Sequence, residues 1–270
     1  MDEIKRISSI DFNTVVSEHN FQRDLLLKDY YLTRILYSLK DVNGIYFKGG
    51  TALNKIFLNH TRLSEDVDFT LTRNEKEVGH EIIDIIRKLD FFKEYKEGKN
   101  VDGFIRIIVN CSSELGNSEL FIDLNQRGKL SLPSEIHKVK HFYSPFIPEF
   151  SVKTLAREEL IAEKVAASIG RNKPRDHFDV YQIIHANMPI NIELVKKKCA
   201  DSGDEFSIIK MFNKAQTLKD RWDKDMVSLI SEPVSFQEVI QFLAKHFKLK
   251  KAKDKVKKGK KVMDVKSPNI

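Results

Sequence analysis

Cysteine is nearly missing. Cys111 and Cys199 are the two in 270 residues, and they stand far apart in no metal-ligand or redox spacing. That excludes a disulfide scaffold, a zinc finger and a Cys-x-x-Cys redox centre, and it fits a reducing cytosol. Glycine and proline are also scarce, with 11 and 7 residues, too few for a collagenous or low-complexity chain. No apolar run approaches the roughly 18 residues that span a bilayer. The N-terminus, MDEIKRISSIDFN, lacks the apolar core of a secretory signal. Together these absences predict a cytoplasmic protein with no membrane partner. Ordinary globular material is present instead: 41% hydrophobic and 31% charged residues, enough for one large domain or two smaller ones.

The formal net charge is +7, yet it is unevenly placed. From Lys245 to Lys266 there are 11 Lys and 2 Asp, a net of +9, leaving 35 basic and 37 acidic residues elsewhere. The body is therefore close to neutral and carries a cationic arm. Such an arm attracts polyanions, most often nucleic acid, or simply solubilises a terminus.

The pattern of apolar residues predicts a fold of two parts. Leu25, Leu32, Leu36 and Leu39 recur at helical spacing. GIYFK (44–48) is a short apolar strand that ends at Gly49 and Gly50, and TALNKIFLNH after it is expected to be helical. In EDVDFTLT, Val67, Phe69 and Leu71 alternate with Asp66, Asp68 and Thr70, so the two aspartates share one face of a strand. Val78, Ile82, Ile85 or Ile86, and Leu89 mark a covering helix, and strands follow near 103–110 and 119–124. Pro133, Pro145 and Pro148 break the next stretch, and from about 150 onward the signals are helical. The expected architecture is an α/β (α+β) domain with a mixed sheet over 1–150. A helical domain over 151–247, contributing to the active-site cleft, and a lysine-rich, flexible tail over 248–270 complete it.

Two carboxylates one residue apart on a strand repel each other unless hard cations sit between their oxygens. A solvent-exposed strand face also produces Asp-x-Asp by chance, so the context matters. Gly49, Gly50 and Thr51 close one strand and open a helix just before the aspartates, where bare backbone amides can approach phosphate oxygens. The stretch is neither a Walker loop nor a dinucleotide fingerprint. A phosphate cradle beside a divalent-metal site is the geometry of nucleotidyl transfer.

FKGGTALNKIFLNHTRLSEDVDFTL resembles the first motif of the AbiEii/AbiGii toxin family, a branch of the DNA polymerase β-like nucleotidyltransferase superfamily. The likeness includes the GGTAL turn and the block Arg62, Ser64, Asp66, Asp68, Phe69. A second stretch, EELIAEKVAASIGRNKPRDHFDVY, resembles the later family block. The resemblance implies a nucleotidyltransferase fold and a Mg²⁺-dependent reaction, with Mn²⁺ as the alternative ion. In that reaction an acceptor hydroxyl attacks the α-phosphate of a nucleoside triphosphate and pyrophosphate leaves. It implies Asp66 and Asp68 as metal ligands, with Asp123 in ELFIDL as the third carboxylate of the wider superfamily. Gly49, Gly50, Thr51, Arg62 and Ser64 are implied to bind the nucleotide or brace the aspartate strand. Lys164 is implied to hold phosphates, and Asp176 or Asp179 to be the acid of the later helix, the residues leaving that choice open. RNA, with tRNA foremost, is the implied acceptor, and a cognate antitoxin the implied partner. Two other readings stay open: an enzyme that modifies a small hydroxylated compound such as an antibiotic, and a non-catalytic binding protein on the same fold. His80, His141, His177 and His185 match no triad or zinc spacing.

Overall fold

One sheet of mixed direction organises the first part of the chain, in a computed structural model that describes residues 4–171, 173–251 and 253. Most of the tail expected over 248–270 lies outside the described residues. By internal contact the chain forms two units, Met1–Ile161 with Val227–Glu232, and Ala162–Met226 with Pro233–Ile270.

In the first unit, β1 (Ile45–Lys48), β2 (Asp66–Leu71), β3 (Phe92–Val101), β4 (Phe104–Ser113), β5 (Gly116–Asn125), β6 (Glu135–Lys138) and β7 (Ser151–Thr154) form a seven-stranded sheet of order β3-β4-β5-β2-β1-β7-β6. β2 runs antiparallel to β1 and parallel to β5, and β1 runs parallel to β7. Three of these strands depart from the sequence reading. β3 is strongly charged and shows no apolar alternation, because it is an edge strand with one neighbour. β6 and β7 are four residues each; β6 falls where prolines predict irregular chain, and β7 at the start of the part expected to be helical. β7 also moves the expected boundary: the chain beyond 150 still pairs with β1, and the first unit runs to Ile161.

Period two gives the sheet two unlike faces. Phe47, Val67, Phe69, Ile105, Ile107, Ile122 and Leu124 are all buried on one face. The helices α2 (Arg23–Leu39) and α4 (Glu75–Ile86) lie against that side, where Gly79 of α4 comes to Leu124 and Ile105. α1 (Ser9–Glu18) precedes them, capped by the Ser8 hydroxyl. Each fully buried Val, Leu, Ile or Phe contributes roughly 1.5–3 kcal/mol by leaving water, so this face supplies the unit's cohesion. The other face carries the polar set and is taken up below.

The segment after β1 is expected to be one helix, but it is a short α3 (Gly49–Ala52) running into a π-helical turn, Leu53–Phe57. The wider turn accompanies a fully buried ion pair. Lys55 Nζ lies 2.7 Å from Asp29 Oδ1 and donates to Thr33 Oγ1 at 2.9 Å, while Tyr143 donates to Asp29 Oδ2 at 3.3 Å. Past this turn His60 sits in the left-handed region at φ 56°, buried, with Nε2 lacking a hydrogen-bond partner.

The second unit is helical: α6 (Pro174–His185), α7 (Ile192–Asp201), α8 (Ala215–Met226) and α9 (Phe236–His246). The division between units falls within α5 (Arg157–Gly170). Pro174 opens α6 at a first-turn position where its missing N–H costs nothing. α6 packs on α8 and α9, tied by the Tyr181 hydroxyl donating to Glu238 at 2.7 Å.

Burial and the nearby Lys55 ammonium push the His60 imidazole down to about 3, and burial with the same lysine pushes His141 to about 4. Both stay neutral in the folded state while the unfolded chain takes up protons below its ordinary pKa of about 6.5. Stability is therefore complete above that value and falls as pH drops from about 6.5 toward 4. We expect His60 alone to account for a loss on the order of 1–2 kcal/mol between pH 7 and 5. Urea unfolding at both pH values should show a smaller loss in His60→Asn, which also tolerates the positive φ. Equal losses in variant and wild type would contradict the assignment.

Candidate active site

On the polar face of the sheet four charged residues stand in one row across four strands. Lys48 of β1 pairs in register with Asp68 of β2, Asp68 with Asp123 of β5, and Asp123 with Arg106 of β4. Asp66 lies on the same face one pleat away, beside Phe121. The order across the row is positive, negative, negative, positive. Two carboxylates on adjacent parallel strands are thus flanked on both sides by cations.

Arg106 grips its neighbour in the row through two hydrogen bonds. Its Nε donates to Asp123 Oδ1 at 2.7 Å and its Nη2 to Oδ2 at 2.6 Å, a bidentate pair. The guanidinium also lies over the Phe121 ring at 5.3 Å. Its pKa is raised above the ordinary value, first by the hydrogen bonds to Asp123, then by the charges of Asp123, Asp66 and Asp68, with burial opposing. Sequence reasoning missed Arg106. Its signal was available in GFIRIIVN, where an arginine interrupts an apolar strand on the alternate face.

The glycine turn meets this row at Asp68. Gly49 has φ +80°, and a Cβ placed on it would fall on the Asp68 carboxylate, so glycine is required for both conformation and space. Thr51 is buried, and its hydroxyl donates to the Asp66 carbonyl at 2.6 Å, fastening the turn to the aspartate strand. Asn54, another residue sequence reasoning missed, donates to the Gly50 carbonyl at 3.0 Å and accepts from Thr61 and the Arg62 amide at 3.0 and 3.2 Å. Arg62 and Ser64 are both buried, and Arg62 donates to Ser64 Oγ at 2.9 Å and to the Leu63 carbonyl at 3.0 Å.

The second unit gathers the other expected residues. Lys164 Nζ lies 3.0 Å from Asp176 Oδ1 and 3.0 Å from Asp179 Oδ2, with all three side chains at most 7% exposed. One ammonium thus contacts both of the acids between which the sequence left the choice open. Arg171 adds a contact to Asp176 Oδ1 at 3.0 Å, whereas Asp176 Oδ2 has no hydrogen-bond partner. Burial alone would raise the Asp176 carboxyl, but the charges of Lys164 and Arg171 outweigh it and hold it well below the usual carboxylate range. His177, between the two acids in sequence, is placed structurally: its ring nitrogens meet the carbonyls of Lys173 and Met211 at 3.0 and 2.8 Å.

Oxygen donors on Asp66 and Asp68 suit a hard divalent cation that takes its remaining ligands from water and phosphate. The expected third carboxylate is differently disposed. Asp123 is on the right face, but both its oxygens are bonded to Arg106. Among the described residues no group of three or more His, Cys, Asp or Glu is arranged to hold a metal. The residues placed to hold such an ion would be Asp66 and Asp68.

A mixed sheet bearing an Asp-x-Asp strand against a glycine turn is the framework of a nucleotidyltransferase. Residues 31–244 match the family of the nucleotidyl transferase AbiEii toxin of type IV toxin–antitoxin systems, and the chain belongs to that family. Membership makes it a nucleotidyltransferase and implies a nucleotide substrate and an antitoxin partner. Among solved structures it is similar to JHP933 from Helicobacter pylori, at 17% identity over 91% of this chain and 98% of that one, with a TM-score of 0.57. It is also similar to a candidate nucleotidyltransferase from H. pylori, at 17% identity over 87% of this chain and 98% of that one, with a TM-score of 0.60. At such identity the likeness is one of fold. No curated protein matches the chain in sequence. Among the described residues no helix is long and apolar enough to cross a membrane.

Two variants test this geometry. Gly49→Ala forces a side chain into the left-handed region and onto Asp68, and should lower unfolding free energy by about 1–2 kcal/mol or more; wild-type stability in urea would show that the turn is built otherwise. Lys164→Met removes the ammonium that Asp176 and Asp179 share, leaving Asp176 its contact with Arg171, and should cost about 3–5 kcal/mol. Adding Asp179→Asn to Lys164→Met should recover part of that loss, and no recovery would mean the two acids do not depend on the lysine.

Proposed function

We propose that this chain transfers a nucleotidyl group from a nucleoside triphosphate to a hydroxyl of RNA, with tRNA the foremost acceptor, at a Mg²⁺ or Mn²⁺ site on Asp66 and Asp68. The observation that carries the reading is the placement of Asp68 at once in the carboxylate row and against Gly49. In the reaction a bond forms between the acceptor oxygen and the α-phosphorus, the bond to the bridging oxygen breaks, and pyrophosphate leaves with the electron pair. The bound cation supplies neutralisation of phosphate charge and a lowered pKa for the attacking hydroxyl. Asp66 and Asp68 would hold the cation, and the Thr51 hydroxyl fixes the strand that carries them. The backbone opening α3 accepts phosphate closely because Gly49 and Gly50 present no side chain. In the second unit we assign the family's functional lysine to Lys164 and its acid to Asp176 and Asp179 together, positioning residues that fix the ammonium.

The lysine-rich segment near the C-terminus supports RNA as acceptor over a small molecule. Incubation with labelled NTPs and total tRNA should label tRNA and release pyrophosphate. Asp68→Ala should abolish labelling while leaving the melting temperature unchanged or slightly higher, since one of two neighbouring like charges is removed. Labelling of an antibiotic but not of tRNA would move the acceptor to small molecules. Near wild-type turnover by Asp68→Ala would remove the metal role of the aspartates.

A further inference from the structure

Asp123 stands where a third metal ligand is expected, yet its carboxylate is already in use. Both oxygens accept from one guanidinium at 2.6 and 2.7 Å, and the Asp123 side chain is 10% exposed. That guanidinium is fixed in turn: it lies over Phe121 and is bound from β4 in direct register with Asp123. For a dication to recruit Asp123, it would have to share the carboxylate with a fixed positive charge beside it or break a partly buried bidentate pair. Mg²⁺ has little need to do so, because it commonly keeps several waters and uses one or two carboxylates with substrate phosphates. Asp66 and Asp68 are more open to solvent than Asp123 and feel Arg106 as a charge.

We propose that Arg106 is a positioning residue that withholds Asp123 from the divalent cation, so that the protein's metal ligands are Asp66 and Asp68 and Arg106 sets the affinity of the site. The proposal rests on the divalent-cation reading of those two aspartates. It gives the row a simple logic: Arg106 and Asp123 act as a neutral unit beside the site, holding weak metal affinity until the triphosphate arrives with its own oxygens.

The test is equilibrium binding of Mn²⁺ alone to the full chain, followed by electron paramagnetic resonance, without nucleotide or turnover. Removing the whole neutral unit in Arg106→Gln/Asp123→Asn should leave Kd within about threefold of wild type. Arg106→Gln alone frees Asp123 to join the site and should tighten Mn²⁺ by about tenfold or more, the scale on which neighbours of metal ligands act. A double variant weakened tenfold or more would make Asp123 a ligand and overturn the proposal, as would Arg106→Gln that fails to tighten. Melting curves report whether Arg106→Gln folds with its carboxylate unpaired; the double variant buries no lone charge and decides the matter if it does not. Asp68→Asn separates the parent reading: wild type that binds no Mn²⁺, or Asp68→Asn that binds as wild type does, overturns the two-aspartate site and the proposal with it.

Discussion

Repulsion between carboxylates on neighbouring strands is the constraint around which this molecule is arranged. Asp68 and Asp123 stand side by side on parallel strands about 4.8 Å apart. At an effective dielectric near 20, two like charges about 5 Å apart cost about 3 kcal/mol. The sheet meets that cost within itself, setting Arg106 beyond one aspartate and Lys48 beyond the other. The result is a row of balanced charge that keeps Asp66 and Asp68 half-buried on the same face of the sheet.

The same strands that hold the charges hold the core. Val67 and Phe69 alternate with Asp66 and Asp68, so a one-residue register slip of β2 would bury the aspartates and expose the apolar pair. Packing of α2 and α4 against the apolar face thereby fixes the positions of the carboxylates on the other. The turn after β1 adds a second anchor, through Thr51 to the Asp66 carbonyl and through Asn54 to Gly50. In the helical unit the logic differs: a buried ammonium sits between two acids and Arg171 supplies the second positive charge at Asp176, where a missing partner is far more costly than at a surface.

Much of this was legible in the residues. Period two in DVDFTL placed both aspartates on one face, and the GG pair marked the turn beside them. Pro174 and the stripe around Lys164 marked the helices that carry the second cluster. What was not legible depends on partners distant in sequence. β3 carries no alternation because its exposed edge needs none, and β6 and β7 are too short to show any. The π-helical turn follows a pattern indistinguishable from an α-helix. Arg106 could be seen as an exception within an apolar strand, but only the β4–β5 register pairs it with Asp123. Lys164 likewise could not be matched to Asp176 or Asp179 from spacing, since it meets both.

The most direct measurement is anomalous scattering at the manganese edge from crystals of the full chain grown with Mn²⁺ and a non-hydrolysable nucleoside triphosphate. The account predicts a manganese peak ligated by the Asp66 and Asp68 carboxylates and by phosphate oxygens, with Asp123 still bonded to Arg106. A peak coordinated by Asp123, or one lying away from both Asp66 and Asp68, would contradict it.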